Sequence, residues 1–128
     1  MIRILIVDDS PLVRKSLHTL FSAQPDWTIC GEAQNGADAI GKAKILHPDL
    51  ILIDLVMPIL NGIEATRLLK RLLPTTPVLM FTTFTDAYLK NIALAAGVHE
   101  VIDKIEGGTT LIDRINTLFA AELSPPQA

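Results

Sequence analysis

The sequence holds one cysteine, Cys30, so no internal disulfide can form, and this usage fits a reducing, cytoplasmic setting. A lone thiol in a strand-like segment reads as a small buried hydrophobe. No apolar run approaches the roughly 20 residues that a membrane helix requires. The chain opens directly on a strand-like stretch, MIRILIVDDS, without a signal-peptide pattern, so no membrane association is expected. Basic clusters are also missing. With 11 Lys+Arg against 14 Asp+Glu and a net charge of −3, the domain lacks the electrostatic footprint of a direct nucleic-acid binder. His18, His47 and His99 are scattered without metal-ligand spacing and read as surface or turn residues. Charged residues make up only 20% and hydrophobic ones 49%, which excludes a disordered chain. No internal repeat or low-complexity segment is present. The 128 residues suffice for one domain with a substantial core.

What is present is a set of short aliphatic runs, several of which end in polar groups. Residues 50–62 read LILIDLVMPILNG: an unbroken apolar run, one carboxylate at Asp54, a Met57-Pro58 break and an Asn61-Gly62 turn signal. Such a run suits a strand buried on both faces of a parallel sheet. Nothing in strand packing asks for an acid at its end. A first strand over 2–7 likewise ends in acid, at Asp8 and Asp9. Ser10-Pro11 then supplies an N-cap and a first helical residue for a helix ending near Ala23. Residues 27–33 are mixed in polarity and read as an edge strand, with Asn35-Gly36 as a turn before a helix over 37–46. The central strand follows at 50–54 and a third helix at 62–72, with Met57 as core filler. A fourth strand covers 78–81, with Met80 in the core, and reaches Thr82-Thr83. A fourth helix covers 86–96 and is closed by Gly97. A fifth strand is expected at 98–102, then Asp103 and Lys104, a flexible joint at Gly107-Gly108, and a last helix capped by Thr109 or Thr110 through Ala121. This β-α alternation, five times over, predicts one doubly wound parallel sheet of α/β class in the order 2-1-3-4-5, the flavodoxin-like architecture.

All strand carboxyl ends of a parallel sheet lie on one edge, where open α/β sheets bind ligands. Asp8, Asp9, Asp54, Thr82, Thr83 and Lys104 therefore converge there from four places in the sequence. Clustered carboxylates resist ionising together. A hard divalent cation resolves this, and Mg²⁺ takes one or two carboxylates with waters and phosphate oxygens. An ammonium and a hydroxyl beside it suit further phosphoryl oxygens, and a carboxylate there can act as the nucleophile.

With these residues in place the chain resembles the response-regulator receiver domains of two-component signalling, the CheY-like proteins. The likeness covers about residues 2–119 and rests on Asp8/Asp9, the DLVMPILNG segment, Thr82 and Lys104 in order. The resemblance implies that Asp54 accepts a phosphoryl group from a sensor histidine kinase or phosphotransfer protein. It implies that Asp8, Asp9, Asp54 and the backbone carbonyl of Val56 hold Mg²⁺. Thr82 and Lys104 would engage the phosphoryl oxygens, with Thr82 moving toward the phosphate and a partner-binding surface switching in response. No activity beyond the domain's own phosphoryl transfer and aspartyl-phosphate hydrolysis is implied. Three positions depart from the family pattern. Thr83 stands where a small residue is usual and narrows access to Asp54. Val101 occupies the position of the switch aromatic. Ile105 replaces the proline that often follows the lysine. Together with GEAQNG and NGIEATR, this variant is similar to receivers of the NarL/FixJ type, which precede a helix-turn-helix DNA-binding domain.

The resemblance implies a receiver over residues 1–121 with 122–128 as a tail or the start of an interdomain linker. Tyr88, Asn91 and Ile92, with Ile105 and Ile112 nearby, are candidates for a homodimer or partner face formed by the fourth helix, fifth strand and fifth helix. Three other readings compete. A phosphatase of the haloacid dehalogenase type needs a second acid two residues after its nucleophile, where this chain has Val56 or Ser10. An FMN carrier needs a Ser/Thr/Gly-rich phosphate loop where this chain has DDSPLVRK. A pseudo-receiver with phosphorylation-independent output is the alternative that Val101 keeps open.

Overall fold

The aliphatic runs at 4–7 and 50–53 are almost wholly shut off from solvent, which is why they form the middle of the sheet. In this computed structural model, which describes residues 1–123, the elements follow in strict alternation. They are β1 (Ile2–Val7), α1 (Pro11–Ser22), β2 (Trp27–Ala33), α2 (Gly36–Leu46), β3 (Leu50–Ile53), α3 (Gly62–Leu72), β4 (Val78–Thr82), α4 (Ala87–Ala96), β5 (Glu100–Asp103) and α5 (Gly107–Leu123). A short 3₁₀ turn, Lys104–Glu106, precedes α5. The five strands are parallel in the order β2-β1-β3-β4-β5, so the predicted doubly wound sheet is the observed one. β2, mixed in polarity, lies at one edge, and its pairing with β1 slips by one residue where Cys30 bulges.

Alternate residues of β3 serve two separate cores. Ile51 and Ile53 join Ala39, Ala43, Ile63, Leu69 and Ala93 on one face. Leu50 and Leu52 join Leu17, Phe21, Leu111, Ile115 and Phe119 on the other. Met57 and Met80 are both buried, as their reading as core filler requires.

The helices begin where side chains accept the first free amides. Ser10, Asn35, Asn61 and Asp86 are N-caps, and Asn61 forms a reciprocal capping box with Glu64. The two Asn-Gly pairs are thus caps followed by first helical residues rather than free turns, and α2 starts one residue earlier than expected.

Several expected element bounds need correction. β5 begins at Glu100, not residue 98, because Val98 still belongs to the end of α4: its N–H donates to the Ala93 carbonyl at 3.1 Å, while Gly97 takes φ 113. Gly107-Gly108 is not a flexible joint but the start of α5, so Thr109 and Thr110 lie inside the helix rather than capping it. Gly107 supplies φ 84 as it closes the 3₁₀ turn, and a Cβ on Gly108 would lie 2.8 Å from the Leu20 side chain, so its bareness lets α5 pack on α1. α5 runs to Leu123, past the expected stop, and the linker-like Ser124-Pro125-Pro126 lies outside the described residues.

Candidate functional site

β1, β3 and β5 all end at the same edge of the parallel sheet. Asp8 follows β1 and is buried, while Asp9 beside it is exposed. Asp54, the first residue after β3, is 9% exposed. One carboxylate oxygen from each of Asp8, Asp9 and Asp54 lies within 4.8 Å of the others. Lys104, the first residue after β5, reaches in with its ammonium 2.8 Å from Asp8 Oδ2 and 3.2 Å from Asp54 Oδ2. The same ammonium sits 5.9 Å from the centroid of the Phe81 ring.

The other carboxylate oxygens of Asp8 and Asp54 are held by main chain. The Ser10 N–H donates to Asp8 Oδ1 at 2.9 Å, and the Leu55 N–H to Asp54 Oδ1 at 2.8 Å. Burial pushes the Asp54 carboxyl above the usual carboxylate range; the Lys104 charge opposes this, and the Asp8 charge adds to the upward push. Burial alone would lower the Lys104 ammonium, yet its hydrogen bond to Asp8 and the charges of both acids outweigh that and raise it. Lys104 is therefore a fixed cation at physiological pH. Three carboxylates against one ammonium leave the site short of positive charge. An all-oxygen donor set of this kind fits a hard divalent cation such as Mg²⁺.

The backbone of Asp54 is positioned by glycine. α3 starts so close to the end of β3 that a Cβ on Gly62 would lie 2.2 Å from the Asp54 carbonyl oxygen. Gly62→Ala is expected to shift that backbone and lower stability by about 1–3 kcal/mol. Chemical denaturation of the two proteins measures it, and an unchanged midpoint would mean that the loop yields freely.

The structure brings Asp8, Asp9, Asp54 and Lys104 together. Thr82 ends β4 at the same edge and is fully buried, with its hydroxyl accepting the Phe84 N–H at 3.3 Å. Thr83 and Val56 are exposed. Val101 is half-buried, pairs with Met80 across β4 and β5, and packs against the core. Ile105 is 82% exposed, and its N–H donates to Asp103 Oδ1, so the chain leaves Lys104 through a capped 3₁₀ turn. No peptide bond among the described residues is cis. The Pro58 carbonyl accepts the Leu60 N–H at 2.8 Å across Ile59, whose φ of 71 makes this a γ-turn beside the site. Of the proposed partner-face residues, Tyr88, Asn91 and Ile105 are exposed, and Ile92 and Ile112 are half-buried. His18, His47 and His99 are all exposed.

Sequence reasoning missed two groups. Asp103 accepts from Thr85 at 3.4 Å and caps the turn carrying Lys104, a role that an Asp just before a short turn signals. Arg14 donates to the Asp8 main-chain carbonyl at 2.6 Å and pairs with Glu32 on β2 at 3.1 Å. Its place between the apolar positions of α1 carries no local sign of either contact.

Comparison with known proteins agrees with this fold. The family profile described as "Response regulator receiver domain" matches residues 4–116. The transcriptional regulatory protein LnrK of Bacillus subtilis is 36% identical over 98% of this chain, which spans 57% of LnrK's length. A LuxR-family two-component response regulator from Aurantimonas superposes with a TM-score of 0.90 at 28% identity, covering 94% of this chain and 86% of that one. The CheX–CheY–BeF3–Mg²⁺ complex of Borrelia burgdorferi matches with a TM-score of 0.87 at 25% identity, covering 92% of this chain and 89% of that one.

Proposed function

The chain belongs to the response-regulator receiver domain family of two-component signalling, and on that premise we propose that Asp54 is its phosphoryl acceptor, working with Mg²⁺ held at Asp8 and Asp9. Phosphoryl acceptance is the standard role of this family. The observation that carries the assignment is the meeting of three carboxylates within 4.8 Å, with the Lys104 ammonium 3.2 Å from Asp54.

The donor is a phosphohistidine on a sensor histidine kinase or phosphotransfer protein, and the reaction takes place in the cytoplasm. An Asp54 oxygen attacks phosphorus as the donor's P–N bond breaks. Asp8, Asp9, Asp54 and the Val56 carbonyl would hold the cation, which when bound would supply neutralising charge for the phosphoryl group. Lys104 gives up Asp8 and takes a phosphoryl oxygen. The Thr82 hydroxyl releases the Phe84 amide and turns to another. Exposed Thr83 sets how freely water and partners approach Asp54, and so the rate at which the domain hydrolyses its own aspartyl phosphate. With Val101 in the switch position, the report to a partner or homodimer face on α4, β5 and α5 runs without an aromatic rotamer flip. Residues 1–121 form the working unit in this reading.

The test is incubation with a small phosphodonor. Intact-mass spectrometry is expected to show one added phosphoryl group in Mg²⁺ and none after chelation. Asp9→Ala is expected to weaken Mg²⁺ binding severely in a calorimetric titration. Unchanged affinity in that variant would reject the acidic site.

A further inference from the structure

Asp9 differs from the other two acids in how it is held. Asp8 has Ser10 and Lys104 on its carboxylate, and Asp54 has Leu55 and Lys104. The Asp9 carboxylate is exposed and has no hydrogen-bond or ion-pair partner among the described residues. Its direction is therefore set by the backbone it hangs from, and above all by the peptide joining Asp8 to Asp9. That peptide's oxygen is the acceptor of Arg14 Nη1, at 2.6 Å.

Arg14 is itself anchored. Its side chain is 18% exposed, and its Nε lies 3.1 Å from Glu32 Oε1. Glu32 is fixed in turn: its second carboxylate oxygen is 2.7 Å from His18 Nε2, and its main-chain carbonyl accepts the Lys42 ammonium. The guanidinium thus ties the first turn of α1 to the edge strand and closes over the peptide between the two acids. A planar fork can do this with two donors at once, which a lysine ammonium at the same place cannot match.

Glu32 accounts for the charge of Arg14, but not for the hydrogen bond that the guanidinium makes to the Asp8 carbonyl. A fixed cation beside a cation site repels the incoming ion, so its presence argues for orientation rather than electrostatics. We propose that Arg14, anchored by Glu32, is a positioning residue for the metal: it fixes the Asp8–Asp9 peptide and so aims the Asp9 carboxylate at the ion. The inference rests on the reading of Asp8, Asp9 and Asp54 as the Mg²⁺ site.

The sign of one substitution decides it. Arg14→Ala removes a positive charge, which by electrostatics tightens Mg²⁺ binding; loss of positioning weakens it. Calorimetric titration of the full chain with Mg²⁺ is expected to show affinity reduced roughly tenfold or more, the usual scale for losing a group that orients a ligand. Glu32→Ala is expected to weaken binding in the same direction, while Glu32→Gln, which keeps an acceptor for Nε, retains most of the affinity. The Arg14→Ala/Glu32→Ala double variant is expected to be no weaker than Arg14→Ala, because both substitutions open one clamp. Phosphorylation by a small phosphodonor adds a separate readout. The half-saturating Mg²⁺ concentration should rise while the rate at saturating Mg²⁺ stays near that of the parent, a split that general loosening of the fold does not produce.

Mg²⁺ binding by Arg14→Ala at or above the parent affinity overturns the proposal. If that variant does not fold, as circular dichroism reports, Glu32→Ala decides, and parental affinity there overturns it equally. An Asp9→Ala protein that binds like the parent removes the metal reading and this inference together. An Asp9→Ala protein that loses the ion while Arg14→Ala keeps it removes this inference alone.

Discussion

Asp54→Asn is expected to abolish phosphorylation by a small phosphodonor in Mg²⁺ and, at neutral pH, to raise the melting temperature. The first effect follows from the chemistry. An amide oxygen is a poor nucleophile, and no other carboxylate in the site has the same setting. The second follows from burial. Asp54 has a folded pKa above its ordinary value, first because it is buried, with Asp8 adding to the push against the opposing pull of Lys104. The protonated form thus favours the fold, so the contribution of Asp54 is complete below the unfolded pKa and is lost as pH rises through the folded one. At neutral pH the ionised group works against folding. An amide keeps an acceptor for the Leu55 N–H and removes the charge, and Lys104 keeps its bond to Asp8. The gain in stability should therefore be largest at neutral pH and vanish in acid. Intact-mass spectra and thermal unfolding at the two pH values measure both effects. A full mass shift in the variant, or a lowered melting point at neutral pH, would contradict this account of Asp54.

Lys104→Ala is expected to be the most destabilising substitution in the site when Mg²⁺ is absent. The Lys104 side chain is 19% exposed, and its ammonium is the cation shared by Asp8 and Asp54, whose side chains are 4% and 11% exposed. Removing one partner of a buried pair leaves uncompensated charge, and here it leaves two carboxylates facing each other; a loss of about 3 kcal/mol is the scale expected. Mg²⁺ should restore much of it, because an ion that binds only the folded chain adds stability by mass action. The metal and the ammonium also compete for the same oxygens, so the variant should bind Mg²⁺ more tightly than its parent. Denaturant unfolding with and without Mg²⁺, together with a direct titration, reads out both effects. Equal stability in chelator would show that Lys104 does not compensate these acids.

The fold was legible because its signals are local. Unbroken aliphatic runs marked β1, β3 and β4, and Ser10-Pro11, Asp86 and Gly97 marked helix ends through chemistry confined to a few residues. The acids and the lysine stood out because strand packing has no use for them at the ends of buried runs. The errors arose where one residue has two competing uses. Val98 is apolar enough for a strand, but its amide closes α4. Gly107-Gly108 looked like a hinge, yet one glycine provides a positive φ and the other makes room for Leu20. The Arg14 clamp could not be found this way. Its partners, Asp8 and Glu32, are six and 18 residues away, and only the pairing of β1 with β2 brings all three together.

The alternation along β3 makes the sheet a shared wall between two sealed compartments. Ile51 and Ile53 press on one and Leu50 and Leu52 on the other, so neither core reaches the other except through the strands. Asp54 stands at the open end of that wall. A substitution that shifts β3 along its axis would therefore disturb both compartments at once. α1 and α5 line one compartment and α2, α3 and α4 the other, so each helix shares a core with the strand that carries Asp54 at its end.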